Sequence, residues 1–490
     1  MILRFCLASI LVISSLTSIA QNDQHRPKIH FTPEKGWMND PNGMVFYKGI
    51  YHLFYQHYPD STVWGPMHWG HATSTDLIRW ERKPIAIFPD TLGMIFSGSA
   101  VVDKRNSSGF GSATNPPLVA IFTSHSAEAE KSGSNSFENQ SLAFSTDDGK
   151  TWRKFAGNPV LRSPGIRDFR DPKVMWHEPS SKWIMALAVV DKIEFYSSPD
   201  LKNWTRESEY GKNAGAHGGV WECPDLFSLK DENGKNVWVL IVNINPGGPN
   251  KGSATQYFLG DFDGKNFKAY ADSTKWIDYG PDEYAGITWS NTGDRKIFIG
   301  WMSNWDYAQV VPTLRWRSAA TIARELKLKK TGSELYITST PVDEIEKYTS
   351  TAEVHTLKPG GMDKMSLPCR IKTTISAESD FSLLFGNESG ESVVIGYDKT
   401  ANQFYIDRTK SGKSNFNAGF AAKHTVPRFG NSSMINLDVI LDVSSIELFA
   451  DEGLSTMTSI FFPTKDYNRI YLPQANPSTM IHYFKLKPVF

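Results

Sequence analysis

The chain has 490 residues, too many for one hydrophobic core, so two domains are expected. Lys+Arg and Asp+Glu both number 52 and no basic run stands out, which excludes the electrostatic footprint of a nucleic-acid or anionic-membrane binder. Aromatics mostly fill β cores, but 15 Trp and 18 Tyr also leave a surplus suited to platforms for neutral, hydroxyl-rich ligands.

Met1 to Arg4 leads into an apolar run from Phe5 to Ile19 that ends Ser18-Ile19-Ala20 before Gln21. That is the pattern of a cleavable secretory signal over residues 1–20. A helix of that length spans roughly 22 Å against a hydrocarbon core of about 30 Å, so a lasting anchor is not expected. The remaining chain keeps Cys223 and Cys369. A disulfide between them would join two domains, and none is expected.

Next comes HFTPEKGWMNDPNG, His30 to Gly43, which sets Asp40 between Asn39 and Pro41 at the mouth of the first strong β signal. Taken alone, such an Asp is a turn residue. Beyond it almost nothing has a helical period. Short aromatic and β-branched runs are separated by Gly, Pro, Asn and Asp, the all-β pattern.

Five of these runs resemble one another: Ile50–Tyr58, Leu118–Ser124, Lys182–Val190, Val237–Asn245 and Lys296–Ser303. Four are followed by a polar strand and an Asp-containing turn that closes on an aromatic, at Trp80, Trp152, Trp204 and Phe267. Each is preceded by a shorter strand. A unit of this kind, recurring at about 50–70 residues, predicts the blades of a propeller. The expectation is a five-bladed β-propeller over residues 26–338, with the WMSNWDYAQVVPTLRWRSAATIAREL run at its closure. A charge-rich stretch from Glu325 leads to a linker at 339–350. Period-two runs such as Ser392–Tyr397 and Met434–Leu441 then predict a β-sandwich over 351–490.

The first strand of a blade lines the axis. Asp40 opens the first, Ser97 the second, Arg170-Asp171 the third and Trp221-Glu222-Cys223 the fourth. Three carboxylates are therefore expected at matching positions around one axial pocket, where they repel and raise one another's pKa. Such a pocket suits glycosidic cleavage. Metal binding by Asp40, Asp171 and Glu222 is the weaker alternative, because no Asp-rich loop surrounds them and Arg170 brings a competing charge. No metal or cofactor is expected.

Met38-Asn39-Asp40-Pro41-Asn42-Gly43, Phe96-Ser97-Gly98-Ser99, Arg170-Asp171-Pro172, Glu222-Cys223-Pro224-Asp225 and Gly300-Trp301-Met302-Ser303-Asn304-Trp305 together resemble glycoside hydrolase family 32, the invertases, inulinases and levanases. The resemblance implies a five-bladed propeller followed by a β-sandwich. It implies Asp40 as a nucleophile that forms a covalent fructosyl intermediate, Glu222 as acid/base and Asp171 as transition-state stabiliser. Fructose contacts fall on Asn39, Gln56, Trp64, Phe96, Ser97, Arg170 and Trp301. Asn39 and backbone amides are expected to keep Asp40 ionised, and a neighbouring carboxylate with burial on the Trp221 side to keep Glu222 protonated. The expected partner is a fructan or fructose-containing oligosaccharide, levan or inulin over sucrose alone, cleaved from its end by a secreted or periplasmic protein. Endo cleavage, fructosyl transfer and non-catalytic sugar binding remain as alternatives.

Overall fold

The computed structural model describes residues 23–112 and 114–490; the leader expected over residues 1–20 lies outside them. Five antiparallel sheets form a ring, each starting from its innermost strand: Gly36–Tyr47, Met94–Val102, Phe169–His177, Val220–Lys230 and Tyr284–Thr288. Each inner strand packs on the next, and the fifth packs on the first. The five apolar runs form the second strands, Ile50–Tyr58, Leu118–His125, Lys182–Val189, Asn236–Asn245 and Ile297–Met302. They read as unbroken apolar runs because both of their faces are covered by neighbouring blades; Leu118–His125 is buried at every position.

The recurring turns are side-chain caps. Asp76 Oδ1 accepts the amides of Ile78 and Arg79, Asp200 Oδ1 those of Lys202 and Asn203, and Asp263 Oδ1 those of Lys265 and Asn266. The ring closes in two steps. Trp316–Arg317 pairs in parallel with Gly36–Trp37 of the first blade, and Ala319–Ala320 returns to pair with Trp301–Met302 of the fifth. The charge-rich stretch from Glu325 forms the two outer strands of the fifth blade, Arg324–Thr331 and Glu334–Pro341. A 3-10 turn, Asp343–Tyr348, then leads to Glu353–Leu357, the first strand of the second unit.

That unit is a sandwich of two six-stranded antiparallel sheets. Short or edge strands that pattern reasoning passes over, Met362–Lys364, Lys423–Pro427 and Arg469–Tyr471 among them, complete the sheets. Cys369 is a free, buried core residue of the sandwich and Cys223 a free, buried residue of the propeller.

Fully buried ion pairs bind the two units together. His30 contacts Asp442 through Nδ1 at 2.9 Å and Glu447 through Nε2 at 2.7 Å. Arg324, from the fifth blade, reaches Glu447 and also Asp278 at 2.8 Å. A second cluster sets Arg408 of the sandwich 2.6 Å from Asp282, whose other oxygen accepts the Tyr307 hydroxyl at 2.6 Å. Burial pulls the His30 pKa down, but the flanking carboxylates override it and raise it to about 9. A raised histidine stabilises the fold fully below its unfolded value near 6.5 and loses that contribution as pH rises through 9. The protein should therefore lose roughly 3 kcal/mol of stability between pH 6.5 and 9 from this residue. Urea unfolding across that range checks it: the slope should flatten in His30→Gln, and equal slopes in both proteins would refute it.

Candidate active site

All five inner strands break register at the same height. One extra residue is accommodated between Met38 and Pro41, Ile95 and Gly98, Arg170 and Lys173, Glu222 and Asp225, and Tyr284 and Ile287. Each bulge interrupts the ladder and turns consecutive side chains toward the axis instead of alternating them. Asp171, Cys223 and Ala285 take up the bulges with φ of 64°, 42° and 54°. Pro172 and Pro224 follow two of them, where a missing amide costs no ladder bond. The expectation of matching positions needs correction here: Asp40, Asp171 and Glu222 share the bulge but occupy different places within it. The fifth bulge supplies Tyr284, which the repeat itself could have revealed.

The bulges open into a cavity of about 340 Å³ lined by Asp40, Asp171 and Glu222 together with Asn39, Gln56, Trp64, Phe96, Ser97 and Arg170. Asp40 accepts hydrogen bonds from Asn39 Nδ2 at 2.9 Å and Ser97 Oγ at 2.7 Å, with the Cys223 thiol at 3.5 Å. Trp37 Nε1 donates to Asn39 at 2.7 Å and fixes which way that amide points. Asp171 Oδ2 accepts the Cys223 amide at 3.0 Å, and the same thiol stands 3.6 Å away. Cys223 thus bridges two carboxylates. Glu222 Oε1 is gripped by Arg170 through Nε at 3.2 Å and Nη2 at 3.0 Å, and Oε2 accepts the Tyr284 hydroxyl.

Burial, then the nearby Glu222 charge, pushes Asp40 above the usual carboxylate range. The side chains of Ser97, Asn39 and Cys223 pull the other way; the donors are side chains, not the turn amides expected. Burial also pushes Asp171 up, with Arg170 opposing and Glu222 and Asp40 adding to the rise. Trp221 does not line the pocket, because strand alternation turns it into the core between the third and fourth blades. Arg170 brings a positive charge to two of the three acids, its Nε 4.0 Å from Asp171 and its Nη2 3.0 Å from Glu222.

Trp301 is the candidate that does not reach the cavity. It sits on the second strand of the fifth blade, fully buried behind Trp305, with ring centroids 4.9 Å apart. Trp305 and Gln309, carried on the closing loop, line the pocket instead. Gln56 is buried and its Nε2 has no protein partner, as suits a ligand contact. Trp64 is 38 % exposed at the rim, edge-on to Phe96 at 6.1 Å.

Sequence reasoning also missed the support of Arg170. Glu138, buried in the third strand of blade two, accepts the Phe169 amide at 2.8 Å and Arg170 Nη1 at 3.4 Å. Asp168 contacts the same nitrogen at 2.5 Å. Glu138 opens the polar stretch Glu138-Asn139-Gln140-Ser141, so nothing in the local sequence set it apart.

Residues 30–339 match the glycosyl hydrolases family 32 N-terminal domain and residues 334–487 the family 32 C-terminal domain. The chain belongs to glycosyl hydrolases family 32. A levanase of Bacillus subtilis is 43 % identical over 96 % of this chain and 71 % of its own length. An extracellular exo-inulinase of Aspergillus awamori is 37 % identical over 94 % of this chain and 93 % of its own. The crystal structure of exo-inulinase from that organism superposes with a TM-score of 0.89 at 36 % identity, covering 95 % of this chain and 99 % of the other. A Schwanniomyces occidentalis fructofuranosidase complexed with fructosylnystose does so with a TM-score of 0.86 at 33 % identity, over 95 % and 98 %. This family 32 chain is a glycosidase with the propeller-plus-sandwich fold.

Ser97 gives this site a direct test. Its hydroxyl favours ionised Asp40, so Ser97→Ala should raise the Asp40 pKa further. The acid limb of the kcat/KM–pH profile should move to higher pH, with about a tenfold loss below neutrality. An unmoved acid limb would show that Asp40 ionisation does not govern it.

Proposed function

We propose that the protein releases fructose from the non-reducing ends of fructans such as levan and inulin, and also cleaves sucrose, with retention of configuration. One observation carries the reading: five aligned bulges focus Asp40, Asp171 and Glu222 onto a cavity that ends blindly. The floor is built by Pro41, Gly98, Pro172 and Pro224 around a void of only about 10 Å³. A dead end at the small end of the range for ligand pockets suits a terminal sugar better than a threaded chain.

In this reading Asp40 attacks the anomeric C2 while the C2–O bond to the leaving sugar breaks and Glu222 gives its proton to that oxygen. Glu222 then takes a proton from water, which attacks C2 and frees Asp40. Asp171 accepts fructose hydroxyls, and the Arg170 guanidinium holds both Asp171 and Glu222 in place. Burial pushes both Asp40 and Asp171 up, Asp171 to about 8, so the cluster keeps a proton at neutral pH. The named relatives support the substrate class: a levanase and an extracellular exo-inulinase. Export through the apolar leader completes the reading. Among the described residues no helix is long and apolar enough to cross a membrane.

Chromatography of products from sucrose, inulin and levan at early times tests the proposal. Fructose is expected as the only early product from inulin and levan, and fructose with an equal amount of glucose from sucrose. Oligosaccharides from the start would overturn terminal cleavage, and trisaccharide accumulation at high sucrose would show transfer instead. Glu222→Gln should lose at least a thousandfold in kcat and accumulate a fructosyl ester on Asp40 when the leaving group needs no proton.

A further inference from the structure

Beyond the floor of the catalytic pocket the propeller axis opens again on its opposite side. A cavity of about 540 Å³ lies there, and no residue lining it lines the catalytic pocket. The strands that deliver the catalytic residues also build this second chamber. Lys173 follows Asp171 by two residues, Asp225 follows Glu222 by three, and Thr288 follows Tyr284 by four.

Asp225 is fully buried, and its two oxygens are treated very differently. Oδ2 accepts three hydrogen bonds: from Lys173 Nζ at 3.1 Å, the Thr288 amide at 2.6 Å and the Thr288 hydroxyl at 2.7 Å. Oδ1 has none. A buried carboxylate oxygen without a donor is costly, and here it borders a chamber large enough for a ligand. The missing donor has to come from whatever fills that chamber.

Charge narrows the choice. An anion would meet the bare Oδ1, and a cation would meet the ammonium groups of Lys173 and Lys296. A hydroxyl satisfies both, because it donates to the carboxylate and accepts from a lysine. Trp238 stands in the same wall and offers aromatic surface to the C–H face of a sugar ring, while the Trp176 ring is covered by the Arg105 guanidinium 4.3 Å from its centroid. We propose that this chamber is a second, non-catalytic site for a neutral saccharide of one or two rings, anchored on Asp225. The ligand class follows from these side chains and does not depend on the substrate assigned to the catalytic pocket.

Crystals soaked in fructose, and calorimetric titration of the whole protein with fructose, test the site. Sugar density is expected in both chambers, with two binding events in solution. Trp238→Ala and Asp225→Asn should each weaken the second event at least tenfold, and Trp238→Ala should leave kcat/KM on sucrose within twofold. If Asp225→Asn does not fold, Trp238→Ala alone decides the matter. Sugar in the catalytic pocket only, ordered water alone in the second chamber, or displacement of fructose by inorganic phosphate would each overturn the proposal. A protein that binds two fructose molecules yet fails to hydrolyse fructans would refute the functional reading and leave this one standing.

Discussion

The bulge repeated in all five inner strands is the constraint on which the site depends. A regular strand offers every second side chain to one face, so a regular blade would send only one of two adjacent residues to the axis. The extra residue breaks that rule at one level of the ring. Arg170 and Asp171 can therefore both face the cavity, as can Asn39 and Asp40. The cost is left-handed backbone at Asp171, Cys223 and Ala285, which the flanking antiparallel ladders hold in place. Cys223, forced into such a conformation between two acids, gives its amide to Asp171 and its thiol to the pair.

Electrostatics then follow from crowding. Six carboxylates line the pocket, from Asp40, Glu130, Glu138, Asp168, Asp171 and Glu222, against the single guanidinium of Arg170. Arg170 is divided among them, with one end on Glu222 and the other on Asp168 and Glu138. Glu138 is held below its usual range, against its burial, by Arg170 and His125, so it serves as the fixed negative charge that positions the arginine. Burial moves both Asp40 and Asp171 upward, and at Asp171 it outweighs the opposing charge of Arg170.

The fold was largely legible because its signals repeat. Five apolar second strands and four Asp-capped turns recur at similar spacing, and repetition turns weak local patterns into a count. The site was legible where the same repeat reached it, at Asp40, Ser97, Asp171 and Glu222. It was less so wherever side-chain direction depends on something outside the repeat. Trp301 belongs to a blade strand and is covered by its own closing loop, so a motif that marks it as a contact cannot show that Trp305 stands in front. Trp221 neighbours an acid in sequence and faces the opposite way in the sheet. Glu138 is two strands removed from the axis in its own blade, and only the tertiary packing of Arg170 gives it a role.

The sandwich acts on the pocket from a distance. The closing loop that carries Trp305 and Gln309 also carries Tyr307, whose hydroxyl donates to Asp282 and accepts from Arg408 of the sandwich at 2.9 Å. Arg408 is fully buried and packs over the Phe420 ring, 3.9 Å from its centroid. Removing one partner from such a buried pair leaves a charge uncompensated, at a cost of roughly 3–5 kcal/mol. The same loop is pinned by Arg317, which donates to the carbonyls of Gln309, Val311 and Thr313, and by Asn417 of the sandwich, which donates to the Asp306 carbonyl. A shift of Tyr307 would displace the neighbouring Trp305 and Gln309 at the rim, while Asp40, Asp171 and Glu222 stay on the inner strands. The propeller therefore fixes the three carboxylates, while the sandwich braces the loop that forms the rim of their pocket.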